Sequence, residues 1–295
     1  LMRTKLKKIS IALTALLLVI SFMPKLAFAD AVPGDVIVTL GQNLSEEQKR
    51  DILKRMELPD EYETIYVTNE EEHLYLGQYI SASQIGNKAL SSSKITIAPA
   101  GTGIQVTSDR ISWVSNEMYA NALVTAGVQD AEVYVTAPFE VSGTAALTGL
   151  IKAYETAADL DIPEEQKTVA NEEMIRTAEL AESIGSEEAN ELITRVKEEI
   201  ASTSIETEEE MRTIIIKLAD EINVTLSDQE TDELTALFMK MKDLDIDWDH
   251  LKDQLSKVRE NFGNFVESEE AKSFLDSFID AMKRFFDSIA DLFRS

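Results

Sequence analysis

The feature that most constrains this chain is a change of character near residue 160. Before it, short runs rich in β-branched residues alternate with helix-start signals. From Asp161 onward there is one proline, Pro163, no obvious strand, and a succession of helical periods. The pattern predicts an N-terminal α/β domain built from βαβ-like units over residues 30–160. An all-α acidic helical region follows over residues 161–295, ending in an amphipathic aromatic helix.

In the first part, Val36 to Leu40 reads as a strand, and Ser45 and Gln48 stand at capping-box spacing ahead of a helix reaching about Met56. Ile65 to Thr68 is the next strand, and Asn69-Glu-Glu-Glu72 opens a helix carrying Leu74, Leu76 and Ile80. Lys94 to Ile97 and Ile104 to Thr107 flank Pro99-Ala-Gly-Thr-Gly103 and read as a hairpin. Ser115-Asn-Glu117, a short helix and Val133-Tyr-Val-Thr136 repeat the order of Ser45-Glu-Glu47, a helix and Ile65-Tyr-Val-Thr68, which predicts two βαβ-like units. Ser142-Gly-Thr144 then opens an apolar helix through Leu147, Leu150, Ile151 and Tyr154.

Helices are expected over about 164–184, 186–201, 207–224, 227–241, 247–264 and 268–293. This part holds 35 acids against 15 cations, a composition that predicts solvated polar faces. On the last helix Phe274, Phe278, Met282, Phe285, Ile289 and Phe293 form one stripe, which Leu275, Ile279 and Phe286 widen. The stripe fits a core-facing helix. It also fits helix-in-groove docking, with Phe274, Phe278, Phe285 and Phe286 as tentative partner-binding residues. A lipid-surface helix fits less well, because such helices usually carry a Lys/Arg-rich polar face.

The start of the chain has the make-up of a secretory leader. Arg3, Lys5, Lys7 and Lys8 precede an uncharged apolar stretch from Ile9 to Phe22, and Ala27-Phe28-Ala29 supplies small residues at the positions a signal peptidase reads. Cleavage is expected between Ala29 and Asp30, with residues 1–29 as signal peptide. Pro24 and Lys25 interrupt the run short of the roughly 20 residues a membrane span needs, so no integral span is expected after cleavage. Without the five cations of residues 1–29, 23 Lys plus Arg face 54 Asp plus Glu, a formal charge of −31. A surface of that sign repels a phosphate backbone and argues against nucleic acid as a partner. The absence of cysteine removes disulfides, thiolate nucleophiles, Cys-zinc sites and the acylated cysteine of a lipoprotein.

Chemical motifs are sparse. The strand-to-helix segment through Ser142, Gly143 and Thr144 resembles a ligand crevice at a strand's carboxyl end, but it lacks the Lys and Ser/Thr of a P-loop. Its other reading is a helix capped by Ser142 or Thr144, with Gly143 and Gly149 easing close packing. His73 and His250 are too few for a three-histidine metal site, and His73 reads as a surface residue. The alternating acids Asp243, Asp245, Asp247 and Asp249 invite a calcium reading, but Trp248 and Gln254 break the EF-hand pattern, and Asp247 reads as a helix cap. No metal or cofactor is expected.

The run Val135-Thr-Ala-Pro-Phe-Glu-Val-Ser-Gly-Thr-Ala-Ala-Leu-Thr-Gly149 resembles the family catalogued as domain of unknown function 1002. Ser83-Gln-Ile-Gly86, Ala89-Leu-Ser-Ser92 and Gly34 to Gly41 share the likeness. The resemblance implies an exported protein of Gram-positive, spore-forming bacteria and carries over no catalytic residue. Its signature is densest at Ser142, Gly143, Thr144, Ser91 and Ser92, the tentative ligand-binding residues. The expected function is non-enzymatic binding of a cell-envelope protein or wall component. The alternative is a wall-acting hydrolase or transferase using paired carboxylates.

Overall fold

The computed structural model describes residues 32–267. Residues 1–29, the expected signal peptide, lie outside the described residues, as does the expected last helix with Phe274, Phe278, Phe285 and Phe286. The first part runs β1 (Val36–Gly41), α1 (Glu46–Arg55), β2 (Glu63–Val67), α2 (Asn69–Leu76), α3 (Ala82–Ile85), β3 (Ser92–Ile97), β4 (Ile104–Ile111), α4 (Asn116–Thr125), β5 (Ala131–Val141) and α5 (Thr144–Ala158). Helices α6 (Glu164–Ile184), α7 (Ser186–Ser202), α8 (Glu208–Glu221), α9 (Asp228–Lys242) and α10 (Trp248–Glu267) follow.

The five strands form one mixed sheet in the order β2-β1-β3-β5-β4. Strands β1 and β2 pair parallel across α1, and β4 and β5 pair parallel across α4, so both βαβ units are present. The internal echo is structural: Ser45 caps α1 and Ser115 caps α4, each accepting from the backbone N–H three residues on. Strand β3 runs antiparallel to β1 on one side and to β5 on the other, joining the two units.

The expected hairpin between β3 and β4 is corrected, because β5 lies between them. The connecting loop closes around the start of β5 and not upon itself: Ala98 N donates to Asp130 O at 2.8 Å and Gly103 N to Asp130 Oδ1 at 2.7 Å. Strand β5 can then use both edges, pairing Ala131 to Thr136 with β3 and running beside β4.

Every residue of β1 is buried because the strand is central and covered on both faces. Val36, Val38 and Leu40 pack against Ile52 and Met56 beside α1. On the opposite face, Ile37 and Ile95 join Leu123 of α4 and Leu147 and Leu150 of α5. This core continues across residue 160, taking in Met174 and Ile175 of α6 and Leu251, Leu255 and Val258 of α10. A second core holds the helical part together, with Leu192 and Val196 of α7, Met211 and Ile215 of α8, and Leu237, Phe238 and Met241 of α9.

Helix α6 departs from the expected solvated polar face. Asn171, Glu172 and Glu173 are consecutive and all buried. Successive residues of an α-helix point about 100° apart, so the three reach different neighbours. Asn171 Oδ1 accepts from Thr148 of α5 at 3.4 Å, and Glu172 pairs with Lys240 of α9 at 2.8 Å. Glu173 accepts from Lys197 Nζ of α7 at 2.9 Å and from the Thr125 hydroxyl of α4. Lys197 is fully buried and also donates to Asn121 O at 2.8 Å. Burial pushes the Glu173 carboxyl up and the Lys197 ammonium down, and the charge of each opposes the shift of the other.

Removing one partner of such a pair strands the other in the interior, a change that costs about 3–5 kcal/mol. Lys197→Met is therefore expected to destabilise the protein by that amount in urea denaturation. Adding Glu173→Leu should recover most of the loss, since two apolar side chains leave no buried charge.

Candidate functional site

All four strands β1, β2, β4 and β5 run in one direction, so their carboxyl ends share one rim of the sheet. The tentative residues converge there. Ser91 and Ser92 are buried at the start of β3, and Ser92 Oγ accepts from Gly41 N at 3.2 Å. Ser142, Gly143 and Thr144 follow β5. The N-cap of α5 is Gly143, in the left-handed region at φ +99, and neither the Ser142 nor the Thr144 side chain caps the helix. A Cβ at Gly143 would meet Tyr119 Oη at 2.3 Å and Ile111 Cγ2 at 2.6 Å, so the position needs glycine for both space and dihedral. The Tyr119 hydroxyl donates to Gly143 O at 2.6 Å. Gly149 eases packing as expected, lying against Thr39, whose hydroxyl donates to Gly149 O at 2.9 Å.

The first turn of α5 meets a carboxylate from the protein itself. Thr144 Oγ1 donates to Glu72 Oε1 at 3.1 Å, and Asn69 Nδ2 donates to Glu72 Oε2 at 3.1 Å. Glu72 is 2% exposed and has neutral hydrogen-bond partners. Burial pushes its carboxyl up to about 7, against the two hydrogen bonds and the nearby His73. His73 is half-buried and not a simple surface residue: its Nε2 lies 3.0 Å from Gly86 O and ties α2 to the segment after α3. The buried carboxylates Glu72, Glu172 and Glu173 thus have separate partners, in Thr144, Lys240 and Lys197.

Beside the rim, α2, α5 and α6 enclose a cleft of about 170 Å³. Glu71 and Tyr75 of α2, Thr148, Ile151, Lys152 and Glu155 of α5, and Lys167 and Asn171 of α6 line it. Lys152 Nζ donates to Glu71 Oε1 at 2.7 Å and to Tyr66 O of the edge strand β2 at 2.9 Å. Lys167 Nζ lies 3.1 Å from Glu155 Oε1 and 2.7 Å from Glu164 Oε1, and the Tyr75 hydroxyl donates to Glu164 at 3.0 Å. Burial alone would lower the Lys167 ammonium, but the Glu164 and Glu155 carboxylates hold it above the usual lysine range. Burial together with Glu164 pushes the Tyr75 phenol up to about 12. Burial works to raise the Glu71 carboxyl, and the hydrogen bonds from Lys152 and Thr68 outweigh it and hold the group low.

Sequence reasoning missed this cleft. Its one legible signal is Lys152, the single cation in the mostly apolar α5. Elsewhere Asp247 caps α10 as expected, accepting from His250 N at 3.0 Å. Among the described residues no group of three or more His, Asp or Glu is placed to hold a metal ion.

Glu72 gives stability a definite pH dependence. Its folded pKa of about 7 lies above the ordinary value of 4.5, so the folded state holds the proton more tightly than the unfolded chain. This contribution is most favourable below pH 4.5 and is lost as pH rises through 7, to a total on the order of 3 kcal/mol. Glu72→Gln should match the parent near pH 4.5 and exceed its stability at pH 8 by about 1–3 kcal/mol in urea denaturation.

Comparison with known proteins adds lineage to this geometry. The family model described as Protein of unknown function (DUF1002) matches residues 40–258. The chain is 49% identical over 289 residues to a Bacillus subtilis (strain 168) protein named "Uncharacterized protein YpuA", covering 98% of this chain and 100% of that one. No solved structure matches. The match to residues 40–258 takes in β2 to β5, the rim and the cleft, and with the full-length similarity it shows that the chain belongs to the DUF1002 family.

Proposed function

We propose that this protein is exported and acts outside the cytoplasm as a non-enzymatic binding protein of the cell envelope. The observation that carries the binding part is the state of the cleft. Lys167 is held charged, Glu71 and Glu164 are held ionised, and Tyr75 is held neutral, all with pKa values displaced away from 7. A general acid or base works best with a pKa near the operating pH. A binding surface gains from groups fixed in one charge state and one position. The cleft has the second character.

The export part is supported by the leader-like composition of residues 1–29. Among the described residues no helix is long and apolar enough to cross a membrane. In this reading Ser91, Ser92, Ser142, Gly143 and Thr144 form a rim beside the cleft, and Thr144, through Glu72, holds α2 against α5 and so shapes one wall. The aromatic stripe Phe274, Phe278, Phe285 and Phe286 is proposed to contact a larger envelope partner.

Two measurements test the proposal. Mass spectrometry of the protein recovered from culture medium and wall fractions should find a chain beginning at Asp30; recovery from the cytoplasm alone, with the leader intact, contradicts export. Crosslinking in intact envelopes should capture a defined partner that is lost when residues 268–295 are deleted. Capture of the same partner by the truncated chain contradicts the role given to the aromatic stripe.

A further inference from the structure

The ligand class follows from the unused hydrogen-bonding capacity of the cleft. An ammonium group has three N–H donors and a primary amide has two. Among the described residues Lys152 spends two of its donors, on Glu71 and Tyr66 O. Lys167 likewise spends two, on Glu155 and Glu164. Asn171 is fully buried behind the cleft, where its amide nitrogen donates to Lys167 O at 2.8 Å and helps to fix the backbone that carries Lys167. Two ammonium groups with capacity left therefore line one small cavity, and they suit an oxygen-rich acceptor such as a carboxylate.

The surrounding charge decides what else that ligand carries. Glu71 and Glu155 sit on the same walls and neutralise the two lysines. A simple anion would bring a charge with no counterpart beside two partly buried carboxylates. A molecule with both an ammonium and a carboxylate continues the existing alternation of charge without adding to it. The volume of about 170 Å³ lies well below the ~300–1,000 Å³ of a drug-sized site and suits a molecule of amino-acid size. Ile151, buried in the same wall, offers an apolar contact for a short side chain.

We propose that the cleft between α2, α5 and α6 binds a free α-amino acid, with its carboxylate on Lys152 and Lys167 and its ammonium on Glu71 and Glu155. This rests on the binding reading above and narrows it to a ligand class.

Isothermal titration of the purified full-length chain with glycine, L-alanine, D-alanine and L-glutamine, and with acetate and methylammonium as the two halves, tests the assignment. At least one amino acid should bind saturably and at least about tenfold more tightly than either half. Lys152→Met should weaken that binding about tenfold or more, as should Glu71→Gln, which removes the charge that receives the ammonium. Either variant suffices if the other fails to fold. The assignment is overturned if no amino acid binds, if acetate binds as tightly as the best amino acid, or if a folded variant binds unchanged. Envelope capture of a protein partner is independent of these titrations, so the failure of one reading is distinguishable from the failure of the other.

Discussion

Three consecutive polar side chains on α6 hold the architecture in register. Asn171, Glu172 and Glu173 are all buried, and each is answered by a different helix: Thr148 of α5, Lys240 of α9, and Lys197 of α7 with Thr125 of α4. Buried charges are costly unless each has its partner at hydrogen-bonding distance, so few arrangements of these helices are tolerated. Apolar packing alone accepts small slips of one helix along another; a Glu173 carboxylate that must meet both Lys197 and Thr125 does not. The α/β part and the helical part thus share a hydrophobic core and also a set of polar contacts that fix how they meet.

The cleft is a consequence of the same placement. Helix α6 brings Lys167 and Asn171 to face α5, while Glu72 beneath the first turn of α5 holds α2 in position to present Glu71 and Tyr75. One turn before Asn171 on α6, Lys167 joins Glu155 of α5 and Glu164 of its own helix. Charge is thereby ordered inside a strongly acidic molecule: the buried Glu172 and Glu173 and the cleft-lining Glu71 and Glu155 each have a lysine partner, whereas the buried Glu72 is met by neutral groups. Residues 30–295 carry a formal charge of −31, and many of the acids on the described helices are exposed.

Much of the fold was legible because it is written in local signals. Capping boxes at Ser45 and Ser227 mark helix starts, and the repeated order of Ser45 to Thr68 in Ser115 to Thr136 marks two βαβ units. The error over β3 and β4 arose because Pro99 to Gly103 has hairpin composition, while the residue that captures the loop, Asp130, is distant in sequence. The burial of Glu172 and Glu173 was illegible for the same reason. An acid on an amphipathic helix reads as solvated until its cation is found, and Lys197 and Lys240 lie 24 and 68 residues away. The rim residues Ser142 to Thr144 were correctly placed at a strand's carboxyl end, but their local partners Tyr119 and Glu72 come from other elements. Of the cleft, only Lys152 in an apolar helix left a trace.

The central claim is that α6 fuses the two parts of the chain into one cooperative unit, and the two tryptophans report on it directly. Trp113 precedes α4 in the α/β part, where its indole N–H donates to Glu182 of α6 at 2.8 Å, and Trp248 opens α10. Urea unfolding followed by fluorescence in the single-tryptophan variants Trp113→Phe and Trp248→Phe, each checked against far-UV circular dichroism of the same variant, compares the two regions. A shared core and buried polar contacts require fluorescence and circular dichroism to coincide within each variant, giving a single transition for both regions. If either tryptophan instead reports a transition separate from the loss of helix, the two parts unfold independently and the unifying role given to α6 is contradicted.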